Sequence, residues 1–387
     1  MRDDAAPSAD ARQPLTVNVP SETSGLEKGM EPMVRIWNRI LSKAVHAGTP
    51  PSAQIDDYIA SRIRPDGPGL ALAVVKAGVV VRTAGYGRAN INGPAITPDT
   101  IFHLASCGKQ FTGLGISMLA EEGKLGFDDS LSRYLPMLGG FGPEVTIRRL
   151  LHQTSGIRDL YDEEGFEKVL ARFERATNAD MIRTYVDLGC PMATEGCRPG
   201  DDFFYSNSGY ELLGAVIETV SGQSYHDFFQ QRVFDVVGMK DTFSIPDRRA
   251  GDARCATGYF RNDQGAYVVH RGFRHDEIVG SGSFYTTASD LSLYDHALAT
   301  NRLLGEAATR LMFTSGRTND GSATNYGFGW YVGTNHLGRF AEHEGSWSGF
   351  YSYICRYLDR PLSVFVLSNH PELDLFEIAC EATAAFD

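Results

Sequence analysis

None of the six cysteines (107, 190, 197, 255, 355 and 380) forms a Cys-x-x-Cys pair, which argues against a zinc ribbon or a thioredoxin-like motif. Cys190 and Cys197 are near enough in sequence to close a short loop. A chain of 387 residues needs no such staple, so free thiols are expected. Long apolar runs are missing too. The longest, Leu70 to Val81, is interrupted by Lys76 and Gly78, and a bilayer span takes about 20 residues. Lysine is scarce, with seven among 36 basic residues, set against 48 acids and a net charge of −12. A nucleic-acid partner normally demands a basic face, so none is expected. There is no Gly-x-Ser-x-Gly elbow, no Walker A loop and no His-Glu-x-x-His pair. Gly113-Leu114-Gly115 lacks the rest of a dinucleotide fingerprint, and the ten histidines show no metal-ligand spacing. Neither cofactor nor metal is therefore expected. Met1-Arg2-Asp3-Asp4 opens without an apolar segment, so no signal peptide is visible. The expectation is a cytoplasmic protein as written, or a periplasmic or secreted one if a signal has been removed.

What is present is patterned. Residues 1–30 are rich in Asp, Ser, Pro and Ala without hydrophobic period and read as a flexible leader. Residues 31–47 are amphipathic, and Ile55, Ile59 and Ile63 mark one helix face at a spacing of four. Leu70 to Val75 and Val79 to Val81, around Lys76-Ala77-Gly78, predict a strand hairpin with a buried face. Helical periods dominate from 106 to 280, with clear examples at 145–151 and 209–220. Strand-like segments return at 327–332, 351–357 and 362–367, and a last helix is expected over 373–385. Strands at both ends with helices between predict an α/β (α+β) chain. The expected division is a leader and N-terminal helix (1–53), an antiparallel sheet flanked by terminal helices (54–105 with 281–387), and a mainly helical region (106–280).

Three short segments carry chemistry. In Phe102-His103-Leu104-Ala105-Ser106-Cys107-Gly108-Lys109 the serine opens a helical period and Lys109 lies one turn on. A serine hydroxyl needs a base to become a nucleophile, and a lysine with a lowered pKa is one. A plain N-cap serine would look the same. Tyr205-Ser206-Asn207 precedes the 209–220 helix. The tyrosine is suited to proton relay, while the asparagine amide is suited to holding both the lysine and a carbonyl. An ordinary cap is the bland alternative. In Glu342-His343-Glu344-Gly345-Ser346-Trp347 the glycine permits close backbone approach. The amide after it, with that of Ser106, would form an oxyanion hole.

Ser-x-x-Lys, Tyr-x-Asn and a His-x-Gly triplet, in that order, resemble the serine β-lactamase and penicillin-binding protein superfamily, in particular its class C β-lactamase-like branch. Leu150-Leu151-His152-Gln153-Thr154-Ser155-Gly156-Ile157 and Gly280 to Leu291 resemble further stretches of that branch, and the likeness spans roughly 55–385. The resemblance implies that Ser106 is acylated, that Lys109 and Tyr205 share the general-base work, and that Asn207 positions lysine and substrate. It places His343 and Gly345 at the third motif and the Ser106 and Ser346 amides in the oxyanion hole. It also implies an antiparallel sheet of five or more strands beside a helical region, with the site in the cleft between them.

Two departures shape the functional expectation. His343-Glu344-Gly345 replaces the Lys-Thr-Gly of efficient class C enzymes, a swap common in esterase, D-aminopeptidase and amidase members. The cation that would grip a β-lactam carboxylate is thereby missing. Cys107-Gly108 between serine and lysine is an unusual filling. The glycine is expected to add flexibility, and the thiol is either oxidation-sensitive or buried and inert. The expected activity is hydrolysis of small carboxylic esters through an acyl-enzyme. The alternatives are a D-stereospecific peptidase or amidase, a weak β-lactamase, or a sensor that is acylated without turnover. Expected partners are a small ester, amide or short peptide. Tyr161, Phe166, Phe203 and Tyr259 are candidates for an apolar acyl pocket.

Overall fold

The computed structural model describes residues 50–162, 176–244, 251–269 and 277–387. The expected leader, the amphipathic 31–47 segment and Phe166 lie outside the described residues.

The central element is a six-stranded antiparallel sheet in the order β2-β1-β10-β9-β8-β7. It is built from β1 (Leu70–Lys76), β2 (Val79–Tyr86), β7 (Tyr331–Asn335), β8 (Gly338–Trp347), β9 (Phe350–Tyr357) and β10 (Leu362–Ser368). Two short pairs accompany it: β3 (Phe102–His103) with β6 (Tyr285–Thr286), and β4 (Tyr259–Arg261) with β5 (Tyr267–Val269). β1 and β2 form the expected hairpin, and β1 also pairs with β10, Leu70 opposite Ser368. Two segments far apart in sequence thus meet in one sheet.

Strand alternation explains the layering, since successive side chains face opposite sides. Leu70, Leu72, Val74, Val364 and Val366 join Ile55, Ile59, Ile378 and Ala379 in one core, beneath the helices Pro51–Ala60 and Leu375–Phe386. Ala71, Ala73, Val75, Phe365 and Leu367 face a larger core with the helices Lys109–Glu121, Asn207–Ser221 and Ala288–Ala299. Arg356 and Asp295 form a buried ion pair between β9 and the last of these, and Ser363 also donates to Asp295.

Three local expectations are revised. Val79, Val80 and Val81 are exposed rather than part of a buried face, because β2 is an edge strand. The strand expected over 327–332 begins at Tyr331. Its first residues turn instead, with the Gly327 amide donating to the Trp330 carbonyl and the Phe328 amide to Met312. Ile63 lies beyond its helix yet stays buried with Ile55 and Ile59.

Candidate active site

The nucleophile candidate sits in a strained turn. β3 leads into a 3-10 turn, Ala105–Gly108, which continues as the helix Lys109–Glu121. Ala105 adopts a φ of +49°, a conformation costing about 1–2 kcal/mol for a residue with a Cβ. His103 holds it there, because its Nδ1 accepts the Ala105 amide at 3.1 Å. Burial pushes the His103 ring down to about 3, so the imidazole is neutral and its proton is on Nε2. The turn is also tied to the sheet. Ser352 Oγ donates to the Leu104 carbonyl at 2.6 Å, and Cys107 Sγ to the His343 carbonyl at 3.0 Å.

The two unusual residues between Ser106 and Lys109 are therefore structural. Cys107 is buried, and burial pushes its thiol up to about 12. All six cysteines are free. Gly108 is helical and packed, not flexible. A Cβ there would stand 3.1 Å from the Gly282 Cα and 3.4 Å from the Phe284 ring.

Lys109 is fully buried, 0 % exposed. Its Nζ lies 3.1 Å from Ser106 Oγ and donates to Asn207 Oδ1 at 2.7 Å and to the Ser281 carbonyl at 2.9 Å. The ring of Tyr205 lies 4.8 Å from Nζ. Every direct acceptor is neutral, and burial pulls the amine down to about 7, opposed by the more distant Asp159 and Glu211. Tyr205 moves the other way. Burial drives its phenol well above the ordinary value, partly countered by a hydrogen bond with Ser106. At neutral pH the lysine is thus available as a base, and the tyrosine is a protonated phenol.

Asn207 begins the helix Asn207–Ser221, capped by Ser206, whose Oγ accepts the Gly209 amide. The Asn207 amide is oriented from behind. Asp159 Oδ2 accepts from both its backbone N and its Nδ2, leaving Oδ1 for the lysine. The loop Leu150 to Ile157 secures the same segment. Gln153 brackets Ser206, accepting its amide on Oε1 and donating from Nε2 to its carbonyl, while the Gln153 carbonyl accepts the Phe204 amide.

Gly345 lies on β8 against the nucleophile turn. A Cβ there would come within 2.5 Å of Ser352 Oγ, 2.7 Å of the Leu104 carbonyl oxygen and 2.9 Å of the Ser106 nitrogen. Only glycine keeps the space before the Ser106 amide open. Ser346 is exposed on the same strand and lines the cleft with Ser106 and Asn207. His343 does not line it. That residue is buried behind Tyr205, with ring centroids 6.2 Å apart, and is surrounded by Tyr326 and Tyr331. Its Nδ1 donates to the Glu344 carbonyl at 2.5 Å, so Nε2 accepts from the Tyr326 hydroxyl at 3.0 Å. Burial pushes this imidazole down to about 3.

The cleft encloses about 590 Å³, part of it open solvent. Among the described residues no Arg, Lys, Asp or Glu side chain lines it. Tyr161 and Trp347 form one wall, edge to face at 6.1 Å, and His103, Ile278 and Tyr285 contribute others. Of the aromatic candidates, Tyr161 reaches the cleft. Phe203 packs on Tyr326 and Tyr331, and Tyr259 on Tyr267.

The structure therefore brings Ser106, Lys109, Tyr205, Asn207, Gly345 and Ser346 together and sets His343 one layer back. Sequence reasoning missed His103, Asp159, Glu211 and Ser281. Ser281 and Gln153 fall in the two additional stretches of resemblance. Glu211 was signalled only as a charge inside an otherwise apolar helical run.

Comparison with known proteins agrees with the fold. The family model described as Beta-lactamase matches residues 55–384. Penicillin-binding protein 4* of Bacillus subtilis is 34 % identical over 298 residues, covering 73 % of this chain and 63 % of its own length. Protein flp of Staphylococcus aureus is 29 % identical over 313 residues, covering 78 % and 59 %. The chain thus spans less than two thirds of either relative. Among solved structures, the octameric penicillin-binding protein homologue from Pyrococcus abyssi superposes with a TM-score of 0.75 at 28 % identity, covering 86 % of this chain and 76 % of that one.

Proposed function

The chain belongs to the Beta-lactamase family, and from that premise we propose that it is a serine hydrolase that forms an acyl-enzyme on Ser106 and turns over small, uncharged carboxylic esters. The observation that carries this reading is the Lys109 amine, 3.1 Å from Ser106 Oγ and lowered to about 7.

Lys109 Nζ takes the Ser106 proton as Oγ attacks the acyl carbonyl. The oxyanion forms in front of the Ser106 and Ser346 amides, the space kept clear by Gly345. The proton returns to the leaving alkoxide by way of the Tyr205 hydroxyl, which hydrogen-bonds Ser106. Alcohol leaves and the serine ester remains. Water then gives its proton to the same lysine–tyrosine pair, attacks the ester and releases the acid, returning the proton to Oγ. Asn207, fixed by Asp159, keeps the lysine in line.

The ester preference rests on charge. Among the described residues the cleft lining offers no cation for a substrate carboxylate, and Glu344 is exposed two residues from Ser346 on the same face of β8. His343, neutral and buried, supplies no charge. The two penicillin-binding relatives favour a second reading, a D-specific peptidase or an acylated, non-turning-over binder.

The test offers the wild type and Ser106→Ala a short-chain nitrophenyl ester, a D-alanyl anilide and a cephalosporin. Ester turnover lost in the variant is the expected result. Preferential anilide cleavage selects the peptidase, and a stoichiometric burst without turnover the binder. Hydrolysis that survives in the variant overturns the mechanism.

A further inference from the structure

We propose that Glu211, a residue outside the acylation machinery, is a positioning residue that carries a proton in the resting enzyme and so lets Lys109 stay neutral. The inference rests on the reading of Ser106 and Lys109 given above.

Two bridges link Lys109 to a pair of buried carboxyl groups. One runs through Asn207, whose Oδ1 accepts from Lys109 and whose Nδ2 donates to Asp159. The other runs through Ser281, whose carbonyl accepts from Lys109 while its Oγ donates to Glu211 Oε1 at 2.9 Å. The two carboxyl groups differ in what surrounds them. Asp159 accepts from the Asn207 and Ser208 amides, the Asn207 side chain and the Ser208 hydroxyl. It also faces the N-terminus of the 207–221 helix, where a negative charge is favoured. Glu211 lies one turn inside that helix and is 1 % exposed. Its Oε1 accepts from Tyr161 and Ser281, and its Oε2 is buried with no hydrogen-bond partner among the described residues. A carboxylate would leave half its charge uncompensated at that oxygen, whereas a neutral acid would not.

The groups facing Glu211 are Asp159 and Tyr161 from the preceding loop, Tyr185 from the helix Asn178–Asp187, and Lys109 from the helix Lys109–Glu121. Both tyrosines are held protonated by burial. Lys109 and Glu211 share one proton, held either as neutral amine plus neutral acid or as ammonium plus carboxylate. Burial penalises the second arrangement, and Asp159 repels a second anion. Burial and Asp159 together push the Glu211 carboxyl up to about 8. Ionised Glu211 would stabilise the ammonium form of Lys109 and disable it as a base.

The test is the pH dependence of Ser106 labelling by a fluorophosphonate, read by intact-protein mass spectrometry. This step needs the base but no deacylation. Wild type is expected to label with a rate that rises as pH passes about 7, and Ser106→Ala not at all. In Glu211→Gln, which keeps the group neutral, that rise should stay at the same pH and the plateau within about threefold. The infrared difference between wild type and this variant at pH 7 should contain the carbonyl band of a protonated carboxylic acid. A carboxylate band in its place, or a rise that moves to lower pH because an anion opposing lysine deprotonation has been removed, would mean that Glu211 is ionised in the resting enzyme and overturn the proposal alone. Absence of labelling in wild type, or labelling of Ser106→Ala, would instead overturn the serine mechanism and this inference with it. Glu211→Met, uncharged and of similar length, should likewise leave the rise in place. If neither variant folds, the proposal also fails, since a residue that is neutral in the resting protein tolerates a neutral replacement.

Discussion

Two basic side chains are buried within the same site, and they meet opposite fates. Lys109 is ringed by oxygens at 2.7–3.1 Å, with two carboxyl groups one residue further out. His343 is ringed by phenols, its ring nitrogens occupied by a carbonyl and a tyrosine hydroxyl. Burial lowers the proton affinity of both. The two fall by about the same amount, Lys109 from its ordinary 10.5 to about 7 and His343 from 6.5 to about 3, so the amine ends near neutrality while the imidazole carries no charge at any physiological pH. Burial supplies the shift, and the ordinary proton affinity of the side chain decides where it ends.

Removing the lysine breaks the contrast most severely. Lys109→Met should lower kcat/KM by about 10³- to 10⁴-fold at every pH. It should also change the pH dependence of stability. The unfolded lysine holds its proton up to its ordinary 10.5, while the folded one releases it near 7. Between these values the unfolded state binds more protons, so wild type should gain stability relative to the variant as pH rises from about 7 to 10. The gain should total about 4 kcal/mol, measurable by urea denaturation across that range.

Blocking the oxyanion space while leaving both bases intact comes next. Gly345→Ala places a Cβ against the Ser106 amide and should cost about 10²- to 10³-fold in kcat, with the acid limb unmoved. A displaced limb would show that the strand also sets the lysine.

His343→Phe then tests the neutral partner. It leaves the Tyr326 hydroxyl without its acceptor and should destabilise by about 1–3 kcal/mol. Activity should fall no more than about tenfold, with an unchanged pH profile, because the imidazole does not titrate in the working range. A moved profile would mean that the ring shares the proton path.

The smallest effect is expected at Cys107, whose thiol is buried and pushed up to about 12. Iodoacetamide should leave the folded enzyme active, and Cys107→Ala should cost about 1 kcal/mol through its lost volume and its contact with the His343 carbonyl.

What was legible in the sequence follows this division. Ser106 and Lys109 share one helical turn, Tyr205 and Asn207 flank one cap, and Gly345 and Ser346 are neighbours on one strand. Each pair is fixed by local geometry that spacing reveals. Most of the sheet and its helices were legible for the same reason, from periods of two and of three to four, but β8, which carries Gly345 and Ser346, was not expected as a strand. The supporting residues were not, because their partners are distant in sequence. Asp159 acts 48 residues away on Asn207, and Ser281 acts 172 residues away on Lys109. The placement of His343 behind Tyr205 depends on the packing of Tyr326 and Tyr331, which no spacing encodes. The exposed Val79 to Val81 were misread because an apolar alternation cannot tell an edge strand from an inner one.

The pairing of β1 with β10 also governs how the protein comes into being. Leu70 finds Ser368 only after β10 has left the ribosome. Contacts so distant in sequence close late and slowly. The turn bearing Ser106 leans on Ser352 and on the His343 carbonyl, both from the late strands. A nascent chain therefore carries its serine and lysine long before it can use them, and the last strands of the sheet act as the timer that switches the nucleophile on.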